Sequence, residues 1–158
     1  MIKPWEHVSF YANRIEGLAQ GPTAPLTNVT NPGEVFPPKR SKQTEAGVKL
    51  DWENYGATLG VYRIEQPNNA TTRFPGQKFD TFTVDGEQIN KGVELNVFGE
   101  PIDGLRLLAG ATWMDTEQKS TSNGATDGNR AAGVPRFQYN VGADWDVPGI
   151  QGAAVSAH

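Results

Sequence analysis

Two runs in the middle of the chain alternate residue by residue between apolar and polar, and that period decides what the chain can fold into. Val93, Leu95 and Val97 point one way while Gly92, Glu94 and Asn96 point the other. Further on, Leu105, Leu107, Ala109, Ala111 and Trp113 share a face opposite Arg106, Gly110 and Thr112. A period of two belongs to extended strands, whose side chains project alternately to the two faces of a sheet. Between the runs, Glu100-Pro101-Ile102-Asp103-Gly104 has the Pro and Asp-Gly chemistry of a tight reversal, so residues 79–113 read as a hairpin.

The rest of the chain repeats that unit. Residues 7–15 alternate loosely, with Val8, Phe10 and Ala12 against Ser9, Tyr11 and Asn13. Residues 17–42 carry five Pro and three Gly, which exclude a strand interior over most of that stretch and predict a long loop. Residues 43–52 alternate clearly, Thr44, Ala46, Val48, Leu50 and Trp52 lying opposite Glu45, Gly47, Lys49 and Asp51. A short reversal at 53–56 leads into a strand over 57–65, and 66–78 reads as irregular. After the central hairpin, 117–134 reads as a polar, mobile loop. The strand over 137–146 sets Phe137, Tyr139, Val141, Ala143 and Trp145 against polar neighbours, 148–152 predicts a turn, and a seventh strand begins at 153.

The connections are therefore lopsided, short turn alternating with long loop. Outer-membrane barrels have that asymmetry, with strands of about ten residues and aromatic girdles at both interfaces. Trp52, Tyr55, Trp113 and Trp145 fall near strand ends, as amphipathic rings do at a membrane boundary. The polar faces carry Glu45, Lys49, Asp51, Glu94, Arg106, Arg136 and Asp144, a load that a water-filled lumen accepts and a dry core rejects. The expected fold is all-β, an antiparallel up-and-down transmembrane β-barrel, present as a piece of about seven strands.

Composition excludes other classes. With 18 Gly and 11 Pro in 158 residues, long helices are disfavoured, and no apolar run approaches the ~20 residues of a membrane helix. Interspersed charges summing to −4 give no basic stripe, so nucleic acid is not an expected partner. The absence of Cys removes disulfides, thiol nucleophiles and thiolate metal sites. The start, Met1-Ile2-Lys3-Pro4-Trp5-Glu6, lacks the apolar core of a signal peptide, so an export signal is expected outside this chain.

Several segments, in this order, resemble the TonB-dependent outer-membrane receptors, especially the ferric-siderophore branch. They are Gly33-Glu34-Val35 with the run from Pro37 through Arg40 to Lys49, Tyr62-Arg63-Ile64-Glu65, Val84-Asp85-Gly86-Glu87-Gln88 with Lys91-Gly92-Val93-Glu94-Leu95, and Asp127-Gly128-Asn129-Arg130 with Gly133-Val134-Pro135-Arg136. The resemblance implies a 22-stranded barrel in the bacterial outer membrane around an N-terminal plug, with energy from the TonB complex and a ferric siderophore as transported ligand. Residues 1–158 correspond to an interior-to-late part of such a barrel, without plug, TonB-contacting segment or closing strand. With two open edges, this piece alone is expected to be insoluble and to bind no ligand tightly.

Candidate site residues follow from loop chemistry. Phe36, Arg40, Phe74 and Arg130 suit an anionic, often aromatic iron chelate through charge and stacking, and Arg130 has a second reading, ordering its loop at re-entry into the strand. Glu45 and Glu94 read as lumen-lining carboxylates, since no nucleophile or base accompanies them. No enzymatic activity or protein-bound cofactor is expected, and no metal site either, because the histidines His7 and His158 lie near opposite ends of the chain and a metal would need other ligands. Two other readings share the strand pattern: a secreted soluble β-sandwich that binds, for example, carbohydrate, and a passive porin or adhesin barrel.

Overall fold

The computed structural model describes residues 1–147 and 154–157, in which the alternating segments pair into one antiparallel sheet in chain order. Its strands are β1 (Ile2–Trp5), β2 (Val8–Ala19), β3 (Lys39–Asp51), β4 (Tyr55–Thr72), β5 (Thr81–Ile102), β6 (Leu105–Ser120), β7 (Phe137–Asp146) and β8 (Ala154–Ala157). Each pairs only with its chain neighbours, the meander expected of a barrel wall.

Register turns the one-dimensional alternation into two chemically distinct surfaces. Phe10, Val48, Leu59, Leu95, Ala111 and Tyr139 line up across six strands on one face. The next residues along each strand, Tyr11, Gly47, Gly60, Glu94, Thr112 and Gln138, line up on the other. A slip of one residue would exchange these rows, so burial of one face in lipid fixes the register. The apolar face is the convex, outward one: Phe137, Tyr139 and Val141 are 58%, 75% and 63% exposed. No second layer covers it among the described residues, which removes the two-layer sandwich.

The outward apolar band has the height of a bilayer core. Along β6 it runs from Leu105, paired with Trp145, to Trp113, paired with Phe137. Eight residues at ~3.4 Å each give about 27 Å, or about 21 Å vertically for a strand tilted by ~40°, close to the ~25 Å of outer-membrane barrels. Aromatics bound both ends. Phe137 and Tyr139 pack with ring centroids 6.1 Å apart at the loop side, and Trp52 bridges His7 and Tyr55 at 5.9 and 5.3 Å at the turn side.

The turns are as tight as their sequences demand. Asp103-Gly104 alone connects β5 to β6, and Gly104 sits at φ 80°, a left-handed conformation that its missing Cβ permits. Its N–H donates to Glu100 Oε1 at 2.6 Å, and its carbonyl accepts from Asp146 N at 2.8 Å, locking the turn to the end of β7.

Three expectations need correction. There are eight strands, because β1 was too short and too exposed to register as a period. Residues 66–72 are strand rather than irregular, β5 extends for 22 residues and β6 continues to Ser120, so the strands exceed the bilayer on one side. Above the membrane both faces of a strand meet water, and no alternation is needed to satisfy them. The loop over 117–134 is tied down by hydrogen bonds described below. The turn expected at 148–152 lies outside the described residues.

Candidate functional site

Two regions gather chemistry: the inward face and the loop end. The inward face encloses a concavity of about 650 Å³ lined by Tyr11, Asn13, Glu45, Lys49, Tyr62 and Glu94. Tyr11 organises it. Its hydroxyl donates to Glu45 Oε1 at 2.7 Å, and the Lys49 ammonium lies 5.2 Å above its ring. The ring lies flat because glycine stands beneath it: a Cβ on Gly47 would come 2.7 Å from the ring and one on Gly60 2.9 Å from the hydroxyl. The second oxygen of Glu45 accepts from Gln43 Nε2 at 3.3 Å and Asn13 Nδ2 at 3.5 Å. Asn96 Nδ2 donates to Glu94 Oε1 at 2.7 Å. This is a surface of hydrogen-bonding groups and two carboxylates facing one space; both glutamates line the inward side, where their positions in the alternation put them.

The loop end is built differently. Ala24, Ala70, Phe82, Ile89 and Ala131 are the buried apolar residues among those described, and all lie at this end of the sheet with the buried Thr116. They come from the β2–β3 loop, the β4–β5 hairpin, β6 and the β6–β7 loop, so three connections and the strand ends beneath them supply the buried residues of this end. Phe36 joins it, its ring 5.6 Å from that of Phe82.

Asparagine side chains fasten the two long loops to the β4–β5 tip. Asn31 brackets Phe82: Nδ2 donates to the Phe82 carbonyl, and Phe82 N donates to Oδ1, both at 2.9 Å. Thr30 N adds a bond to Asp80 O at 3.0 Å. From the other loop, Ser122 Oγ accepts from Thr71 N at 2.8 Å and Asn123 Oδ1 from Arg73 N at 2.6 Å. Asn123 takes φ 55°, a left-handed conformation that asparagine tolerates well. The β6–β7 loop also runs back along β6, with Gly128 N donating to Gln118 O at 2.7 Å and Gln118 N to Asn129 O at 2.9 Å.

The four predicted ligand residues have separate surroundings. Phe36 packs against Phe82; Arg40 pairs with Glu16 at 3.0 Å on the outward side. Phe74 is open at the tip of the β4–β5 hairpin, 48% exposed. Arg130 donates through Nη2 to the Met114 carbonyl at 3.4 Å and lies 3.5 Å from Asp115, while neighbouring Ala131 N donates to Thr116 Oγ1. That geometry matches the loop-ordering reading of Arg130. Sequence reasoning missed the Asn31 and Asn123 clamps; a polar residue in a Pro- or Gly-rich loop carries no signal of which distant backbone it will bind.

Comparisons with known proteins agree with this geometry. Residues 3–156 match the family described as TonB dependent receptor-like, beta-barrel. The ferrichrome receptor FcuA of Yersinia enterocolitica is 43% identical over 156 residues, 96% of this chain and 20% of its own length. The ferrioxamine B receptor of Salmonella typhimurium is 37% identical over 117 residues, 73% of this chain and 16% of that receptor. Among solved structures, BauA, the ferric preacinetobactin receptor of Acinetobacter baumannii, superposes with a TM-score of 0.76 at 42% identity over 92% of this chain and 22% of BauA. The chain spans about a fifth of the length of these relatives.

Proposed function

The chain belongs to the TonB-dependent receptor β-barrel family of the bacterial outer membrane, and on that premise we propose that it forms wall and loops of a receptor for TonB-dependent uptake of ferric siderophores. The observation that carries this reading is the division of one sheet into a lipid-height apolar face and a polar inward face, with every long connection at the same edge. A passive porin shares the wall, but neither the segments shared with three siderophore receptors nor a loop end closed over its own core.

In this role the protein binds and translocates without covalent chemistry. The chelate meets the loop end, and the TonB complex acts through receptor sequence outside this chain. Of the four candidate contacts, Phe74 has the most open ring and offers stacking to an aromatic chelate. Arg40, paired with Glu16 on the outward face, is turned away from the inward space, whereas Phe36 and Arg130 hold the loops that present the site.

Radiolabelled iron uptake tests the proposal in a strain whose only siderophore receptor is the protein carrying this chain. Ferrichrome, ferrioxamine B and ferric preacinetobactin are the first probes, taken from the names of the relatives. Uptake of at least one is expected, abolished by deleting either the receptor or TonB. Recovery of the receptor outside the outer-membrane fraction, or uptake indifferent to TonB, would overturn the reading.

A further inference from the structure

Above the loop-side girdle, where Val61, Val93, Trp113 and Phe137 share a row, the two faces of the same strands differ in a way that water does not explain. On the inward side the register aligns Ile15, Gln43, Ile64, Asn90 and Thr116 in one row and Gln66, Gln88 and Gln118 in the next. At ~3.4 Å per residue these rows stand about 10 and 17 Å of strand beyond Val61. Not one of these residues carries a charge. On the outward side the positions between them are charged on nearly every strand, Arg63, Glu65, Lys91 and Glu117 among them. Both sides meet water at this height, so solvation alone favours charge equally on the two.

The inward amides form a network that is only partly filled. Gln88 Nε2 donates to Asn90 Oδ1 at 2.8 Å, Asn68 Nδ2 to Gln88 Oε1 at 3.3 Å and Thr126 Oγ1 to Gln118 Oε1 at 2.6 Å. Among the described residues, nothing accepts from Asn90 Nδ2 or Gln118 Nε2, and the exposed Gln66 amide has no side-chain partner at all. These free groups come from three adjacent strands, and Gln66 and Gln118 stand two strand spacings apart, about 10 Å. The rows join the inward concavity, which Gln43 and Ile64 also line, to a recess of about 260 Å³ walled mainly by Asn68, Asn69, Gln118, Thr121, Ser122 and Thr126. Fixed charges on the inward face lie below the rows, Glu45, Lys49 and Glu94 among them, and above at Lys39, whose ammonium donates to Asn69 Oδ1.

From the uncharged rows and their free N–H groups we infer that Gln66, Asn90 and Gln118 contact an uncharged iron chelate of the hydroxamate class. Three singly charged hydroxamates cancel the charge of ferric iron and present carbonyl oxygens and amides, which primary amides match as both donors and acceptors. Three doubly charged catecholates leave a trianion, which would lose water here against groups that supply no cation, one row above the Glu45 carboxylate. The inference rests on the receptor reading above and narrows it, away from the anionic chelate to which loop cations are suited.

The test measures chelate binding to the receptor carrying this chain, purified in detergent, by quenching of tryptophan fluorescence. Ferrichrome and coprogen are the uncharged tris-hydroxamate probes, and ferric enterobactin is the tris-catecholate trianion. Wild type is expected to bind at least one hydroxamate on the order of 100-fold more tightly than the trianion. Gln66→Leu removes an amide that no protein side chain uses, and is expected to weaken the hydroxamate roughly fivefold while leaving the trianion unchanged. Gln66→Lys is expected to strengthen the trianion roughly tenfold. Heat-dependent mobility in gels confirms that each variant is a folded barrel, and Gln118→Leu replaces Gln66→Leu if that variant fails. Tighter binding of the trianion by wild type overturns the inference. So do folded Gln66 and Gln118 variants that bind both chelates as wild type does, which would make the rows a seat for the receptor's own polypeptide. TonB-dependent uptake of the trianion and of neither hydroxamate would sink the inference and leave the receptor reading standing, whereas a receptor absent from the outer membrane would remove both.

Discussion

The bilayer band and the loop end are made from the same strands but are held together in opposite ways. Within the band no side chain is buried; the positions closed off from solvent there are glycines such as Gly60 and Gly110, pressed beneath neighbouring side chains. Cohesion comes from the backbone ladders and from lipid against the outward rows. At the loop end, Ala24, Ala70, Phe82, Ile89, Thr116 and Ala131 are packed as in a small soluble domain, and Asn31 and Asn123 satisfy backbone groups that water would otherwise take. One protein thus uses solvent-imposed order where the solvent is lipid and builds its own interior where it is water.

The contrast can be broken most directly by a charge. Val97→Arg, at the middle of the band, is expected to destabilise the folded receptor by about 2–4 kcal/mol in denaturant titrations from lipid vesicles, while Asn96→Arg, one residue away on the inward face, costs under about 1. Similar losses for the two would deny that the faces differ. At the loop end, the buried Ile89 sits between β4 and β6, and Ile89→Ala is expected to cost about 2–3 kcal/mol, visible as faster amide exchange in the upper parts of β4, β5 and β6 while exchange across the band at Leu95 and Ala111 stays slow. If band and loops loosen together, they are one cooperative unit and the division is wrong.

Smaller changes sharpen the picture. Gly47→Ala places a methyl 2.5 Å from the Leu59 carbonyl as well as against the Tyr11 ring, so a loss of about 1–2 kcal/mol is expected. At Gly60 the nearest obstacle is the Tyr11 hydroxyl alone, and Tyr11→Ala is expected to rescue most of the Gly60→Ala loss in a double-mutant cycle. Asn31→Ala removes two hydrogen bonds to Phe82 and should speed exchange in residues 29–35 by about 1–2 kcal/mol of protection, with little effect on the β6–β7 loop. The exposed Arg40–Glu16 pair is the weakest case: Arg40→Gln is expected to change stability by under about 0.5 kcal/mol. A large drop in iron uptake by that variant would then report ligand contact rather than folding.

The same division explains what the sequence made legible. In the band every strand must show one face to lipid and the other to water, so 43–52, 93–97, 105–113 and 137–145 announce themselves by period, and the register rows fall where alternation puts them. Above the band that requirement lapses. Gln66-Pro67-Asn68-Asn69 reads as a break, yet Pro67 lies in β4 paired with Glu87, close to the irregular register between Asn68 and Ala70. The buried residues of the loop end were hidden for a further reason: they come one or two at a time from five separate segments, the β2–β3 loop, β4, β5, β6 and the β6–β7 loop, so no window of sequence contains a pattern. Glu45 and Glu94 were readable as lumen residues by parity alone, whereas the flat seat of Tyr11 on two glycines depends on pairing between strands far apart in sequence.

The long β4–β5 hairpin has one more consequence. From Val61 at the girdle to Thr72 is eleven residues, about 37 Å of strand, so this ribbon stands like a mast above the apolar band. Phe74 and its neighbours at the tip are the first point of encounter for anything that approaches the loop side from water, and the two loops clamped to the mast keep it upright. Shortening the hairpin by a matched pair of residues from each strand would lower that first point of encounter while leaving the wall in the bilayer intact.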